Sequence, residues 1–263
     1  MKKISIFLSA FLVGMVVLFA SCTKTGPQGP TGANGPTGPA GPVLPNTLTG
    51  YVFLYDAYGD PVDSGYSKAY AVLYNTTTAT VVDTERANSS GIYTGTVLTG
   101  TYNLVGECPG YGVNKTDQNV VFTGGTRTYD LKFSAIPILY AATGYDSIGA
   151  NNVFIKGTVT AANSRVTTLL VYVGSTSPVS AAIPGSYSFV VSSTIAANAT
   201  KYSVAIPLTS LDNYFTAGAT AYIAIYGAAN NYTYGDYTDY ASGNVVYTPV
   251  SANSLNSVSF IVP

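Results

Sequence analysis

Short runs of alternating residues extend from about residue 47 to the end of the chain, and they constrain its fold more than any other feature. In these runs aliphatic residues, tyrosine and threonine alternate with polar residues, a period of two that is typical of half-buried strands. Turn-forming residues separate the runs, as at residues 58–61 and 88–91. Because residues 47–133 also lack any window with helical periodicity, the pattern predicts an all-β protein.

The runs form two sets of seven predicted strands, which indicates two tandem β-sandwiches. The first set is predicted at residues 48–55, 69–74, 80–85, 92–97, 101–106, 118–122 and 127–133. The second set is predicted at residues 153–159, 166–173, 186–191, 202–206, 219–226, 243–247 and 257–262. Residues 206–213 are expected to hold one helical turn or a crossover loop. A junction at residues 134–137 divides a first domain, 47–135, from a second, 136–263.

Residues 48–133 carry turn and core motifs that resemble the carboxypeptidase regulatory-like family. The motifs are Gly50-x-Val52, Asp56-x-x-Gly59-x-Pro61-Val62, Ala71-x-Leu73, Gly91-x-Tyr93 and Leu98-x-x-Gly100-Thr101-Tyr102-x-Leu104. The resemblance implies a transthyretin-type β-sandwich and no reaction. It also implies that Asp56 and Gly59 shape the first hairpin, and that Tyr102 and Leu104 alternate across a strand. Residues 136–263 resemble immunoglobulin-like or fibronectin type III-like sandwiches.

The first 21 residues have the architecture of a secretory signal peptide, with Lys2 and Lys3 ahead of an apolar stretch at residues 4–19. The alternative is a membrane-spanning helix, for which the apolar stretch is short because a span needs about 20 residues. Residues 19–22, Phe-Ala-Ser-Cys, resemble a bacterial lipobox. This resemblance implies that Cys22 is acylated and anchors an exported lipoprotein of Bacteroidetes type. We expect the outer membrane, with the periplasmic or surface face left open.

Residues 22–46 contain a collagen-like stalk after the lipidated cysteine. Glycine falls at every third position from Gly26 to Gly41, six Gly-X-Y triplets in all. Only glycine fits the axis of a collagen triple helix, so the period is compatible with a homotrimer formed through the stalk. Because six triplets are few and Pro is absent from their Y positions, the sequence favours a single-chain polyproline-II spacer over the homotrimer. Both interpretations lift the sandwiches away from the membrane.

Composition excludes several classes of function. The 263 residues include 11 Lys and Arg, 12 Asp and Glu and no His, for a formal net charge of −1. This balance argues against a nucleic-acid partner. Without histidine there is no Ser-His-Asp triad, Cys-His pair or imidazole ligand. The acids lie mostly at turns, and phosphate-loop and dinucleotide motifs are absent, so we expect no catalytic residue, metal or cofactor. Cys108 is expected to be a bystander thiol.

A tyrosine-rich loop at residues 228–241 is the candidate ligand-binding site. Tyrosine combines flat apolar area with a hydroxyl, which suits recognition of sugars or proteins. The candidate residues are Tyr232, Tyr234, Tyr237 and Tyr240, and the alternative is that these rings pack over a sandwich edge. Separately, Asp146-Ser147-Ile148 resembles the three-residue O-glycosylation signal of Bacteroidetes, which makes Ser147 a candidate acceptor.

Two functions follow from these features. The first is a non-enzymatic, envelope-anchored lipoprotein with a structural, adhesive or ligand-displaying role. The alternative is a carbohydrate-binding accessory lipoprotein of a polysaccharide uptake system. The expected partners are the membrane, through the lipid anchor, and a glycan or a surface protein.

Overall fold

Strands form at every position where the alternating pattern predicts them, which confirms the all-β fold. The computed structural model describes residues 45–263 except 116, 139, 161–164, 240 and 252–256, together with residues 26, 28, 29, 32 and 35. The signal peptide, Cys22 and most of the stalk lie outside the described residues. Residues 43–263 form one compact unit. Within the described ranges, no helix has both the length and the apolar composition needed to span a bilayer.

The first sandwich consists of two four-stranded sheets. Its strands are β1 (Asn46–Tyr55), β2 (Tyr70–Asn75), β3 (Val81–Arg86), β4 (Ile92–Val97), β5 (Gly100–Glu107), β6 (Val120–Phe122), β7 (Gly125–Thr128) and β8 (Leu131–Ser134). One sheet has β4 antiparallel to one side of β1, and β7 and β8 parallel to the other. The second sheet has the order β3-β2-β5-β6. Tyr102 and Leu104 both point into the core between the two sheets, on the same side of β5.

The first sandwich has the expected turn after β1 and differs from expectation in one strand. The turn after β1 is shaped by Asp56, whose carboxylate accepts hydrogen bonds from the backbone N–H groups of Tyr58 and Asp60. With Gly59 at a φ of 93°, this turn closes a short antiparallel hairpin in which Tyr55 pairs with Pro61, while β2 joins the opposite sheet. The single strand expected at residues 127–133 is two strands, β7 and β8, separated at Tyr129 and Asp130.

The second sandwich also has two main sheets. Its elements are β9 (Tyr140–Ile148), β10 (Asn152–Thr160), β11 (Thr167–Gly174), β12 (Phe189–Ile195), β13 (Lys201–Pro207), α1 (Leu208–Asp212), β14 (Thr220–Ala228), β15 (Tyr237–Thr238), β16 (Val245–Val246) and β17 (Ser257–Ile261). The sheet orders are β13-β10-β9 and β12-β11-β14-β17, and β15 and β16 form a small ribbon. An aliphatic core fills the space between the two main sheets. The short helix α1 confirms the helical turn expected at residues 206–213 and buries Leu211.

The strand β11 is buried along its whole length, so both faces of its sheet are covered. One face carries Val171 and Val173 into the aliphatic core. The other face carries Leu170 and Tyr172 into a second cluster, which is rich in tyrosine and is completed by loop residues. Tyr232 packs against this cluster, as the alternative for the tyrosine-rich loop predicts, whereas β9 does not follow from the alternating pattern. Residues 140–148 contain Gly144 and several small or polar residues, which weaken the alternating signal.

Candidate ligand-binding site

A cleft of about 440 Å³ opens beside the outer face of the first sandwich, where the tyrosine-rich loop packs against it. We refer to it as the cleft. Its lining residues come from the segment before β6, from the junction of β7 and β8 and from the loop: Asn114, Asp117, Thr128, Tyr129, Asp130, Lys132, Thr233, Tyr234 and Gly235. Most of these side chains are polar, and two are aromatic.

The floor of the cleft is the interruption between β7 and β8. Both strands pair with β1 in one continuous register, but the ladder is broken opposite Gly50 and Tyr51. At the break, the hydroxyl of Tyr93 crosses from the core and donates a hydrogen bond to the Tyr129 carbonyl. The Asp130 carboxylate accepts the backbone N–H of Tyr51 at 3.0 Å. Side chains thus replace the missing ladder bonds.

Only glycine fits at position 50. A Cβ there would collide with the carbonyl oxygen of Tyr129 and lie 2.6 Å from the Tyr93 hydroxyl. Burial raises the pKa of Tyr93, and the nearby carboxylates of Asp117 and Asp130 raise it further. The hydroxyl therefore stays protonated and can keep donating to the carbonyl.

The wall of the cleft is the tyrosine-rich loop, which hydrogen bonds to the first sandwich. Asn230 donates its backbone N–H to the Ala57 carbonyl at 2.9 Å and its side-chain N–H to the Tyr58 carbonyl at 3.1 Å. The hydroxyl of Ser134 donates to the Asn231 carbonyl at 3.2 Å. Gly235, with a φ of 81°, lies so close that a Cβ would be 2.7 Å from the carbonyl oxygen of Val113. Backbone contacts thus set the position of the loop.

Tyr234 presents its ring to the cleft. The ring centroid is 5.1 Å from that of Tyr55, and the Lys132 ammonium lies 5.5 Å from the Tyr234 centroid. Lys132 and Asp130 are both exposed at the surface of the cleft. In contrast, the Asn114 side chain is buried and donates to the Lys132 carbonyl at 3.1 Å, so it supports the strand. The cleft therefore combines one aromatic surface with hydrogen-bond donors and acceptors.

The four predicted tyrosines are not gathered on one surface. Tyr232 packs against Tyr247 with ring centroids 5.2 Å apart, as part of the tyrosine-rich cluster of the second sandwich. Tyr237 lies in β15, with the Lys115 ammonium 4.7 Å from its centroid. Tyr234 is the one of the described three that lines the cleft, and Tyr240 lies outside the described residues.

Sequence reasoning missed the cleft residues of the first sandwich, among them Asp117, Tyr129, Asp130 and Lys132. One signal was present. Aspartate disfavours strands, so Asp130 within a predicted strand could have marked an interruption. The interruption places exposed Asp130 and half-buried Tyr129 side by side, and these two residues supply a carboxylate and a ring to the cleft.

The remaining candidate residues lie elsewhere. Ser147 is half-buried in β9, opposite Phe154 of β10. Cys108 is 5% exposed in the first core, and burial raises the pKa of its thiol to about 11. Asp60 binds the Arg165 guanidinium at 2.6 Å, a hydrogen bond that lowers the pKa of Asp60. Across the part of the chain that the structure describes, no three Cys, Asp or Glu side chains gather as a metal site would require.

Comparison with known proteins gives only distant likeness. No family model and no curated protein matches the chain, so the resemblance of residues 48–133 stays a prediction. A solved Bacteroides uniformis protein to which carbohydrate binding has been ascribed is 16% identical, with a TM-score of 0.31 over 82% of this chain and 98% of that one. A DUF3823 family protein from Parabacteroides merdae is 10% identical, with a TM-score of 0.27 over 82% of this chain and 100% of that one. A DUF3823 family protein from Bacteroides ovatus is 14% identical, with a TM-score of 0.27 over 84% and 100%. These scores carry no conclusion about what this chain binds.

Proposed function

We propose that the protein is a non-enzymatic, envelope-anchored lipoprotein that binds a saccharide in the cleft. Of the two functions expected from the sequence, the cleft favours the carbohydrate-binding one. The observation that carries the proposal is the Tyr234 ring, which faces a cleft whose rim holds Asp130, Lys132 and Thr128. Such a protein would suit the capture step of a polysaccharide uptake system.

The arrangement suits the two-sided chemistry of a sugar. A pyranose ring has C–H faces that pack on an aromatic ring, and hydroxyls at its edge that need hydrogen-bond partners. Tyr234 supplies the apolar surface, while a carboxylate, an ammonium and a hydroxyl surround it. Tyr234 is already ordered by its contact with Tyr55, so binding would cost little side-chain entropy.

The charges of the cleft favour a neutral glycan. Asp117 and Asp130 contribute two carboxylates, against the single ammonium of Lys132. Excess negative charge repels sulfated or uronic acid polymers, since like charges at an interface suppress binding. A neutral glycan avoids this repulsion, and its hydroxyls can hydrogen bond to Asp117, Asp130 and Lys132.

Two substitutions test the site, and both are made in the full chain, purified in mild detergent. A glycan array probed with the unaltered protein first identifies the best oligosaccharide. Tyr234→Ala should weaken binding of the best neutral oligosaccharide about 30-fold, since an aromatic anchor often contributes about 2 kcal/mol. Asp130→Asn should weaken it less, because the amide oxygen can still accept the Tyr51 N–H. Calorimetry measures both.

Tyr214→Ala is the matched control, because Tyr214 is an exposed ring that stacks on Phe189 in the second sandwich. It should bind like the unaltered protein. Equal affinity for all four proteins, or the absence of any bound glycan on the array, contradicts the proposed site. Release of new reducing ends from the bound glycan would contradict the non-enzymatic assignment.

The anchor is tested separately. Cys22→Ala should move the protein from the detergent phase to the aqueous phase on phase partitioning, because acyl chains contribute about 0.8 kcal/mol for each buried CH₂. A variant that stays in the detergent phase with a processed N terminus would contradict lipidation at Cys22.

A further inference from the structure

The outer face of the sheet that contains β1 carries two parallel rows of threonines. In the first row, Thr47 of β1 pairs with Thr96 of β4 on one side and Thr126 of β7 on the other. In the second row, Thr49 lies between Thr94 and Thr128 in the same way. Alternation along β1 buries Leu48 and leaves Thr47 and Thr49 on the opposite face. Neighbouring strands place such side chains about 5 Å apart.

The same face continues along β1 with exposed aromatic rings. Tyr51 is 52% exposed and Phe53 is 41% exposed. Both alternate with buried Val52 and Leu54, so they lie on the same face as the threonines. Two aromatic rings side by side on one face form a continuous apolar surface, the kind of surface that marks an interaction site when it is large. We call the six threonines with Tyr51 and Phe53 the threonine–aromatic face.

The threonine–aromatic face runs directly into the cleft. Thr128, at the end of the second threonine row, also lines the cleft. Phe53 pairs in register with Lys132, another cleft residue. Beyond Phe53, Tyr55 contacts Tyr234 on the cleft wall. A ligand seated against Tyr234 can therefore continue along β1 without leaving this surface.

The chemistry of the face points to one kind of occupant. All eight of its side chains are uncharged, and six of them carry a hydroxyl next to a methyl group. Such a surface offers hydrogen bonds together with apolar contact; the Thr49 hydroxyl donates to the Tyr93 carbonyl at 3.1 Å and can still accept a hydrogen bond. From Thr47 to Tyr55, a strand spans about 26 Å at about 3.3 Å per residue, room for an oligosaccharide rather than a single sugar.

We propose that the ligand is a linear, neutral polysaccharide that extends from the cleft along the threonine–aromatic face. This inference rests on the proposed function, since the cleft provides the first subsite. Tyr51 and Phe53 would stack on successive sugar rings, and the threonines would bond to hydroxyls at the chain edge. The affinity should therefore increase with the length of the oligosaccharide.

The test compares disaccharides with hexasaccharides of the neutral glycan that the array selects, using the full chain. The double variant Tyr51→Ala, Phe53→Ala should lower the affinity for the hexasaccharide at least tenfold and leave that for the disaccharide within twofold. The pair Thr94→Val, Thr128→Val removes hydroxyls at nearly constant shape, and it should reduce hexasaccharide affinity several-fold. Tyr214→Ala again serves as the exposed aromatic control. Each variant is first shown to melt cooperatively near the temperature of the unaltered protein.

The outcomes separate this inference from the proposed function. Equal affinity of the unaltered protein for short and long chains, or an unchanged hexasaccharide affinity in the double variant, overturns the extended site and leaves the cleft intact. A loss of self-association in the double variant, seen by sedimentation, would show that the face is an interface between copies and also overturns it. Failure to bind either length overturns the proposed function, and the extended site with it.

Discussion

The two sandwiches each have a sheet whose outer face carries aromatic rings, but the chain covers this face in the second sandwich and only its end beside the cleft in the first. In the second sandwich, Tyr172 of β11 is 0% exposed, because loop residues pack over it. In the first sandwich, Tyr51 and Phe53 of β1 remain open. The same residue types therefore serve as core in one region and as available surface in the other. An aromatic residue on an outer face is buried where a loop packs over that face, and it stays exposed where no loop does.

The loops that cover the outer face of the second sandwich are held in place by hydrogen bonds to tyrosine hydroxyls. The Tyr226 hydroxyl accepts the backbone N–H of Ala181 at 3.2 Å, and the Tyr187 hydroxyl donates to the Val245 carbonyl at 2.9 Å. The rings of Tyr187 and Tyr226 both meet Tyr172 edge to face, with centroids 4.8 and 5.3 Å away. Tyrosine is suited to this layer because its ring packs against the sheet while its hydroxyl satisfies loop backbone.

The largest expected effect is the contrast between Tyr172→Ala and Tyr51→Ala. Tyr172→Ala removes a fully buried ring, and it should lower the free energy of unfolding by about 3–5 kcal/mol. Tyr51→Ala removes an exposed ring, and it should change stability by about 0.5 kcal/mol or less. Urea unfolding of both variants measures the difference. A loss of about 2 kcal/mol or more from Tyr51→Ala would mean that the outer face of β1 is core.

The strand pattern could be predicted because each strand reports its own burial through alternation. The cleft could not, since it depends on contacts between distant parts of the chain. The break at Tyr129 needs the hydroxyl of Tyr93, which is 36 residues away in sequence, and the space left by Gly50. Similarly, nothing local distinguishes Tyr232, which packs in the second sandwich, from Tyr234, which faces the cleft. The tyrosine content of the loop identified it as a candidate site, but only the tertiary fold determines which tyrosine is packed and which faces the cleft.

Gly235→Ala tests how the loop that completes the second sandwich is fixed against the first. The new methyl would meet the Val113 carbonyl oxygen at 2.7 Å, at a φ of 81° that alanine disfavours. We expect a loss of about 2 kcal/mol in stability, from backbone strain together with displacement of the loop. Saccharide affinity should fall as well, because Tyr234 moves with the loop.

Gly185→Ala is the control for that substitution, since a Cβ at Gly185 would meet nothing within 4 Å. It should leave both stability and affinity nearly unchanged. If Gly235→Ala behaved like this control, the close approach of the loop to Val113 would not determine its position.

Asn230→Ala removes hydrogen bonds that connect the tyrosine-rich loop and the second sandwich to the first sandwich. Its side chain donates to the Tyr58 carbonyl and accepts the hydroxyl of Thr168 at 2.9 Å. Thr168 is buried, so losing its acceptor should cost about 1–2 kcal/mol. Cys108 lies in the first core and reports on that sandwich alone, through its reaction with a thiol reagent as urea is raised.

Two transitions are expected for Asn230→Ala, with thiol exposure separating from the overall loss of β-sheet circular dichroism. This outcome follows if each sandwich holds its own core and the loop couples them. A single coincident transition with unchanged midpoint would show that Asn230 does not carry the coupling.

The smallest effect is a gain in stability within the covered layer. The Tyr172 hydroxyl is buried, and among the residues that the structure describes it meets no hydrogen-bond partner. Burial raises the pKa of this hydroxyl, as expected for a polar group that has lost its water.

An unsatisfied buried hydroxyl costs about 1–3 kcal/mol, whereas the ring itself is well packed. Tyr172→Phe keeps the ring and its edge-to-face contacts, so it should raise the free energy of unfolding by about 1 kcal/mol. The opposite holds for Tyr187→Phe, which removes the donor to Val245 and should destabilise the protein by a similar amount. Thermal melts of the two variants measure this sign change. If both lost stability equally, the Tyr172 hydroxyl would be bonded in solution, and the covered face would be less dry than its packing indicates.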